Sequence, residues 1–433
     1  MRRAGPGAPR GGSGDAGRAA RMTSTSRHPG RVASHPYANS ISLVSILALL
    51  CTVVRAASAT DHVMAPGDPW PSATEVAPGD RILLTPGIHP NVGPLVLSGT
   101  PERPIQIASV DPTQPSTLLG DAWSLDIRSA SNLEITSLLV ISGGSGAVRI
   151  RGFEDAPSRN IELRNLLITP KPGVPVPVGI DAEEVHDLRV LDLRVTLWQR
   201  AAIELRNTSK VRMTGLTLQG DRQASTGIRL NEGVRDTRID KSALLIIGGP
   251  GIAVGVPTST PPGTSTSNTA VDDLVVEGCV FERVAIPVTI GSANGVRIDR
   301  CTIVEPTAAV FELRRPGERW NSATNIRASG NLVTWKVNGL ARLFIDDQPD
   351  ASLALGPNLW WAATMPTALQ WLGEFPEGAE PQVTEVDPRL VPRSYRPLQT
   401  DAVGFGHLAT GDSAGRDDDT PSGPKENPPP GRP

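Results

Sequence analysis

Large rings are scarce in this 433-residue chain: Phe, Trp and Tyr together supply 4% of it. A core without them is filled by Val, Ile and Leu, which favours many short strands over a helical bundle. Charge of one sign is lacking too. A formal net charge of −3 gives no strong field toward nucleic acid or an anionic membrane surface. The apolar run Ile41 to Val54 (ISLVSILALLCTVV) has 14 residues, too short for a comfortable membrane span. Cysteine is limited to Cys51, Cys279 and Cys301.

Turn-forming residues are abundant. The 43 Gly and 41 Pro make up roughly a fifth of the chain, above ordinary usage. At the N-terminus, arginines precede the apolar run and Ala57-Ser58-Ala59 follows it, which is the pattern of an export signal. An uncleaved anchor is the alternative, and Met22 competes with Met1 as the start. Gly411 to Pro433 has almost no apolar side chains and is expected to be a disordered tail. The expected organisation is a basic extension and signal peptide over 1–59, one folded domain over 60–408, and the tail over 409–433. Export implies a secreted or periplasmic location, where Cys279 and Cys301 meet an oxidising medium.

A nine-residue pattern with apolar residues at places two, four, seven and nine recurs eight times. It reads NLEITSLLV from Asn132, NIELRNLLI from Asn160, DLRVLDLRV from Asp187 and KVRMTGLTL from Lys210. It continues as DTRIDKSAL from Asp236, DLVVEGCVF from Asp273, GVRIDRCTI from Gly295 and NIRASGNLV from Asn325. Each copy reads as a strand with period-two alternation, a bend at the middle pair, and a second strand. A third alternating segment lies between copies: AVRIRG, VGIDAE, AAIELR, TGIRLN, GIAVGV, PVTIGS and VFELRR. Three short strands per repeat make one coil of a solenoid. A leucine-rich repeat needs a helical return, and no helical periodicity separates the copies. The Pro-, Ser- and Thr-rich stretch Pro257 to Thr269 is an expected loop at one corner.

The entry segment Pro78 to Ser109 (PGDRILLTPGIHPNVGPLVLSGTPERPIQIAS) has a Gly-Asp, a strand, a Pro-Gly turn, a strand, and Gly-Thr before Pro-Ile. It resembles the opening coils of secreted bacterial parallel β-helix proteins of the pectate lyase-like superfamily, chondroitinase B and alginate lyase among them. GPNLWW at Gly356 and VDPRLVPRSYRPLQTDAVGFG from Val386 are similar to their closing coil. The resemblance implies an all-β, single-stranded right-handed parallel β-helix solenoid of roughly ten or more coils. It also implies an exported protein acting on a polysaccharide. The marks of the superfamily's enzymes are missing, however. There is no paired-aspartate, Asn-Thr-Asp and His-Gly set of the polygalacturonase type. The strands offer no lysine for a chondroitinase-like Lys/Arg pair, since Lys210 and Lys241 fall in bends or at motif starts. Lyase or hydrolase activity is therefore left open.

Outward positions of the inter-copy strands form two stripes if the coils stack in register. One is Arg149, Asp181, Glu204, Arg229; the other is Arg151, Glu183, Arg206, Asn231. As a glycan groove, Arg149, Arg151, Glu183 and Asn231 are the candidate binding residues, with arginines gripping carboxylates or sulfates in bidentate fashion. Asp181, Glu204, Arg206 and Arg229 are the catalytic candidates, because stacked carboxylates repel and raise one pKa. The same pair is a candidate calcium site. The competing reading is an ion-pair ladder between coils in a structural or adhesion solenoid without catalysis. A monomer is expected, with no nucleic-acid partner. His186 reads as a solvated turn residue. Trp198 and Trp335 are placed at a cleft edge, and Trp360, Trp361 and Trp371 at a capped C-terminal end. Cys279 and Cys301 share place seven of successive copies, which predicts stacked buried thiols, with a disulfide as the alternative.

Overall fold

The computed structural model describes residues 59–362 except 91, 257–268, 317–319, 337–341, 343 and 349–350, together with 382–383, 388, 390 and 405–406. The signal-like segment, most of the Pro-rich corner loop, Trp371 and the tail lie outside the described residues. Among those described there is no helix, and so none long and apolar enough to cross a membrane. The strands pair in parallel throughout, as a continuous ladder of coils.

Each coil contributes to three faces. Face 1 takes places two to five of the motif, so that Leu133–Thr136 pairs with Ile161–Arg164, and these with Leu188–Leu191. Face 2 takes the residues after the bend, as in Leu138–Ile141 against Leu166–Thr169. Face 3 is the inter-copy strand, where Val148–Arg151 pairs with Ile180–Glu183. Apolar places point inward and stack coil upon coil in one core.

The middle bend is a left-handed residue in every copy. The sixth place has φ from 48° at Lys241 to 71° at Gly215. The first place behaves likewise, from 50° at Asp236 to 75° at Gly295, which the period alone does not reveal. L-residues adopt this region at a cost, least for Gly, Asn and Asp. That explains the run of Asn, Asp and Gly at both places, with Ser137, Lys210, Lys241 and Arg300 as exceptions. Two such corners per motif turn an otherwise straight strand into three sides.

Place seven, just past the bend, is a buried column: Leu138, Leu166, Leu193, Leu216, Ser242, Cys279, Cys301 and Asn331. Asn358 continues it one coil on. Where the column turns polar, its side chains serve the backbone on either side of the corner. Ser242 Oγ donates to the Asp240 carbonyl at 2.8 Å, Cys279 Sγ to Glu277 at 3.5 Å and Cys301 Sγ to Asp299 at 3.5 Å. In the other direction, the Cys301 N–H donates to Asn331 Oδ1 at 2.8 Å, and the Asn331 N–H to Asn358 Oδ1 at 3.0 Å. Such buried backbone groups are expensive to leave unpaired. Both cysteines are free and fully buried. Burial pushes the Cys301 thiol well above its ordinary pKa, and the neighbouring Cys279 adds to the rise.

Two tryptophans depart from expectation. Trp198 and Trp335 are 1% exposed and belong to the core, not to a cleft edge. Trp335 keeps the inward parity of Val333, whereas Trp198 follows the left-handed, exposed Leu197, which shifts the phase and turns its ring inward; the Trp198 indole N–H donates to the Thr226 carbonyl at 2.6 Å. Trp360 also joins the main core, while Trp361 packs on a small cluster of Leu332 and Leu359.

With both thiols fully buried, and the Cys301 pKa raised besides, a thiol reagent should find essentially neither Cys279 nor Cys301 in the folded protein. After unfolding in the absence of reductant it should find both. Absence of reactive thiols after unfolding would show a disulfide instead.

Candidate charged face

The register on face 3 brings the expected stripes together. Asp181 pairs with Arg149 on one side and with Glu204 on the other, and Glu204 pairs with Arg229. Glu183 lies between Arg151 and Arg206. The first stripe begins one coil earlier than the inter-copy segments suggest, at Asp126, which pairs with Arg149. The segment WSLDIR at Trp123 alternates as AVRIR does, so this coil was available from the same pattern.

The stripe is not an open, solvated surface. Asp181 and Glu204 are each 3% exposed, and Asp126 and Asn231 are also buried. Long arginine side chains lie across them. Arg149 reaches Asp126 through Nε at 2.8 Å and also through Nη2, a bidentate grip, and its guanidinium stacks 5.4 Å from the Trp123 ring centre. Arg128 holds the same carboxylate at 2.8 Å. Arg206 donates through Nη2 to Asp181 at 2.7 Å and through Nη1 to Glu204 at 3.1 Å. Arg151 lies 3.3 Å from Glu183 and 3.8 Å from Asp181. Arg200 lies 2.9 Å from Glu204 Oε2, and Asn231 donates to Glu204 Oε1 at 3.0 Å.

Arg229 is the exception. It is half-buried, donates to Thr226 Oγ1 at 3.0 Å, and makes no ion pair among the described residues. Burial pulls its pKa down and Glu204 opposes; a guanidinium stays charged regardless.

The electrostatics separate the carboxylates. Burial disfavours the Asp126 carboxylate, but the guanidiniums of Arg149 and Arg128 outweigh it and hold the pKa below the usual value. At Asp181 burial wins: the pKa is raised, Arg206 opposes, and Glu204 adds to the rise. Asp181 and Glu204 thus sit together as expected, but clamped by Arg206 and withdrawn from solvent. A calcium ion needs several uncommitted oxygens, whereas these face guanidiniums. No group of three or more His, Cys, Asp or Glu suited to a metal occurs among the described residues. His186 is half-buried between coils, with Nδ1 2.7 Å from Ser209 Oγ, rather than free in solvent. The recesses of about 600 and 640 Å³ elsewhere on the surface are lined by none of these face 3 residues.

No protein-family model matches the chain, and no curated protein matches it. Solved structures do. An alginate lyase from Paenibacillus sp. str. FPU-7 aligns at 15% identity and a TM-score of 0.39, over 69% of this chain and 98% of that one. The PL6-family alginate lyase AlyGC aligns at 12% and 0.40, over 80% and 56% respectively. A GH87 alpha-1,3-glucanase from Streptomyces thermodiastaticus strain HF3-3 aligns at 14% and 0.45, over 70% and 64%. At these values the fold assignment rests on the chain's own strand register.

The two aspartates should titrate with opposite signs. Asp126, lowered in the folded state, contributes stability above its unfolded pKa of about 3.9 and loses it as pH falls through the folded value. Asp181, raised, contributes below about 3.9 and loses that contribution as pH climbs through its folded value. Thermal unfolding of Asp126→Asn should therefore show its largest deficit against wild type near neutral pH, narrowing as pH falls below about 3.9. Asp181→Asn should improve relative to wild type as pH rises over the same range. A common pH trend in both variants contradicts this.

Proposed function

We propose that the chain is an exported, right-handed parallel β-helix protein that recognises an acidic polysaccharide along face 3 and binds it without cleaving it. The observation that carries this reading is Arg229, a half-buried guanidinium on the ladder with no carboxylate of its own. From Asp126 to Arg229, six guanidiniums (Arg128, Arg149, Arg151, Arg200, Arg206, Arg229) meet four carboxylates (Asp126, Asp181, Glu183, Glu204). The excess of two positive charges favours an anionic ligand. Arg151 and Arg200 keep about half of their side chains in solvent and supply further donors for a uronate or sulfate. Binding rather than cleavage fits the state of Asp181 and Glu204. A general acid or base must reach the proton it moves, and these carboxylates are buried and held by arginine. The signal-like run at residues 41–59 supports export.

A second reading has its own support. Three of the ladder's four carboxylates, Asp126, Asp181 and Glu183, contact an arginine from another coil, and Glu204 accepts a hydrogen bond from Asn231 of the next coil. A structural or adhesion solenoid would use such pairs to tie coils together and need no ligand.

Glycan-array binding separates the two. Recognition predicts signal on uronate- or sulfate-bearing glycans that falls about tenfold in Arg229→Ala, with the thermal midpoint held. The structural reading predicts no glycan signal, or one indifferent to Arg229→Ala. An assay for unsaturated sugar products in the near ultraviolet should stay silent.

A further inference from the structure

The corner that leads from face 2 to face 3 has left-handed residues of its own. Ile246 at φ 54°, Arg283 at 52° and Glu305 at 50° hold it in successive coils, as Leu197 does earlier at 50°. Their neighbours pair in register, Leu245 with Glu282 and Glu282 with Val304, so Ile246, Arg283 and Glu305 form a column. Asn, Asp and Gly fill most of the other corners because they enter this conformation at least cost. Isoleucine is among the worst occupants, since its branched Cβ crowds the backbone there. Burial in the core does not account for it either. Ile247 belongs to the core at 2% exposed, whereas Ile246 lies half-buried outside it. An apolar side chain is thus kept where the backbone penalises it and the core does not use it. Strain of this kind collects at ligand-binding positions.

Ile246 lines a recess of about 600 Å³, within the size range of small-molecule sites. Ile246, Ile247 and the buried Pro306 give it an apolar floor, and Arg222, Arg283 and Lys336 stand exposed around it. Lys336 lies 2.7 Å from Glu305, which also lines the recess, and Arg283 lies 3.0 Å from Glu282. Arg222 makes no ion pair among the described residues, so one guanidinium is left over. Two glycines fix the loop that carries it. The Gly248 N–H donates to the Asp221 carbonyl at 3.2 Å and the Gly249 N–H to that of Ala224 at 3.1 Å. A Cβ on Gly248 would stand 2.0 Å from the Arg222 carbonyl oxygen, and one on Gly249 1.8 Å from that of Ser225. Only glycine permits so close an approach. Arginines stack on face 1 as well, with Arg189, Arg212 and Arg238 in successive coils, but the groove there is lined mostly by charged side chains.

We infer that the corner recess binds a small amphipathic carboxylate or sulfonate, its apolar body on Ile246, Ile247 and Pro306 and its head group on Arg222. An apolar floor favours a ligand that has apolar surface to bury. The spare guanidinium selects an anionic head over a neutral or cationic one and holds it through two donors. A sugar chain fits poorly. No aromatic side chain lines the recess for stacking, and its one carboxylate, Glu305, is paired with Lys336. The site differs from the face 3 ladder in place and in ligand class and stands independently of the glycan reading.

The test is a fluorescence titration of the full chain with anilinonaphthalene sulfonate, followed by displacement with octanoate. The expected result is saturable binding at a single site, displaced by octanoate but not by octanol, octylammonium or acetate. Arg222→Gln, a change in an exposed loop side chain, should weaken that binding about tenfold. Ile246→Asn should weaken it by a similar factor while the thermal midpoint holds or rises, because asparagine suits the left-handed corner better. A purely structural isoleucine would leave the binding unmoved. Arg81→Gln, with the same loss of formal charge outside the recess, should bind as wild type does. The inference is overturned by the absence of saturable binding or by equal displacement with octanol or octylammonium. Unchanged affinity in either Arg222→Gln or Ile246→Asn overturns it too, as does an equal loss in Arg81→Gln.

Discussion

Everything in this molecule hangs on one constraint: each coil must hydrogen-bond to the next in register, parallel strand on parallel strand. Every residue therefore joins a column made of the equivalent residues of its neighbours. A slip of one residue would turn each inward column outward. The left-handed corners at the first and sixth places guard against this. They fall at fixed offsets in all eight motif copies, and a residue in that conformation cannot be exchanged for an extended one without undoing a corner. The strained lysine and arginine corners, Lys210, Lys241 and Arg300, persist because the coils above and below impose the same geometry.

The same lattice gives opposite results on two faces. On face 3 the columns mix signs, Asp126, Arg149, Asp181, Glu204, Arg229 in one and Arg151, Glu183, Arg206 in the other. Asp126, Asp181 and Glu183 each find an arginine on a neighbouring coil, while Glu204 takes Arg200 and Arg206 from its own coil and Asn231 from the next. Cross-strand pairs of opposite charge are worth roughly 0.2–1 kcal/mol each, and a network of partly buried ones is screened less than isolated surface pairs. On face 1 one column repeats arginine, and its partial compensation comes from Asp240, Glu277 and Asp299 in the next column over. Where those acids give way to Thr214 and Leu191, the repulsion stays. On face 3 most charges pair among themselves and Arg229 is left over; on the N-terminal part of face 1 Arg212 stays turned outward.

Much of this could be read from the order of residues. Place seven ran Leu138, Leu166, Leu193, Leu216, Ser242, Cys279, Cys301 and Asn331, which marked it as an inward column before any coordinates. The two stripes of face 3 followed from period-two alternation in AVRIRG, VGIDAE and AAIELR. What alternation cannot give is depth. It says that Asp181 and Glu204 point away from the core, but whether they meet water depends on where the side chains of Arg206, Arg151 and Arg200 fold, a choice made between coils and not within one. Trp198 and Trp335 fail for the reverse reason. Their place at a strand end suggested an edge, while the parity of Trp335 with Val333 and the left-handed corner at Leu197 before Trp198 put them inside. The arginine column of face 1 was legible in the third place of the motif, yet shows only when copies are compared by place and not read one strand at a time.

The polar end of the place-seven column shows how far such a lattice can bend its own rule. A corner in the left-handed conformation leaves nearby carbonyls and N–H groups poorly served by the ladder. Leucine there fills volume and leaves the backbone to the ladder alone. Serine, cysteine and asparagine occupy the same site and turn a donor to a carbonyl, two residues before at Ser242, Cys279, Cys301 and Asn358 and in the coil beneath at Asn331. Serine and asparagine do more, because Ser242 Oγ also accepts the Leu216 N–H at 3.1 Å and Asn331 Oδ1 the Cys301 N–H at 2.8 Å, each from the coil beneath. The change from leucine through serine and cysteine to asparagine therefore exchanges buried apolar surface for hydrogen bonds between coils. That exchange is tolerable only where both ends of the side chain are matched, as at Asn331, whose amide donates to the Ile298 carbonyl at 3.0 Å and to Asn358 at 2.8 Å. Ser242 shows that a polar residue next to a leucine is matched as well, because the backbone N–H of Leu216 donates to its Oγ at 3.1 Å.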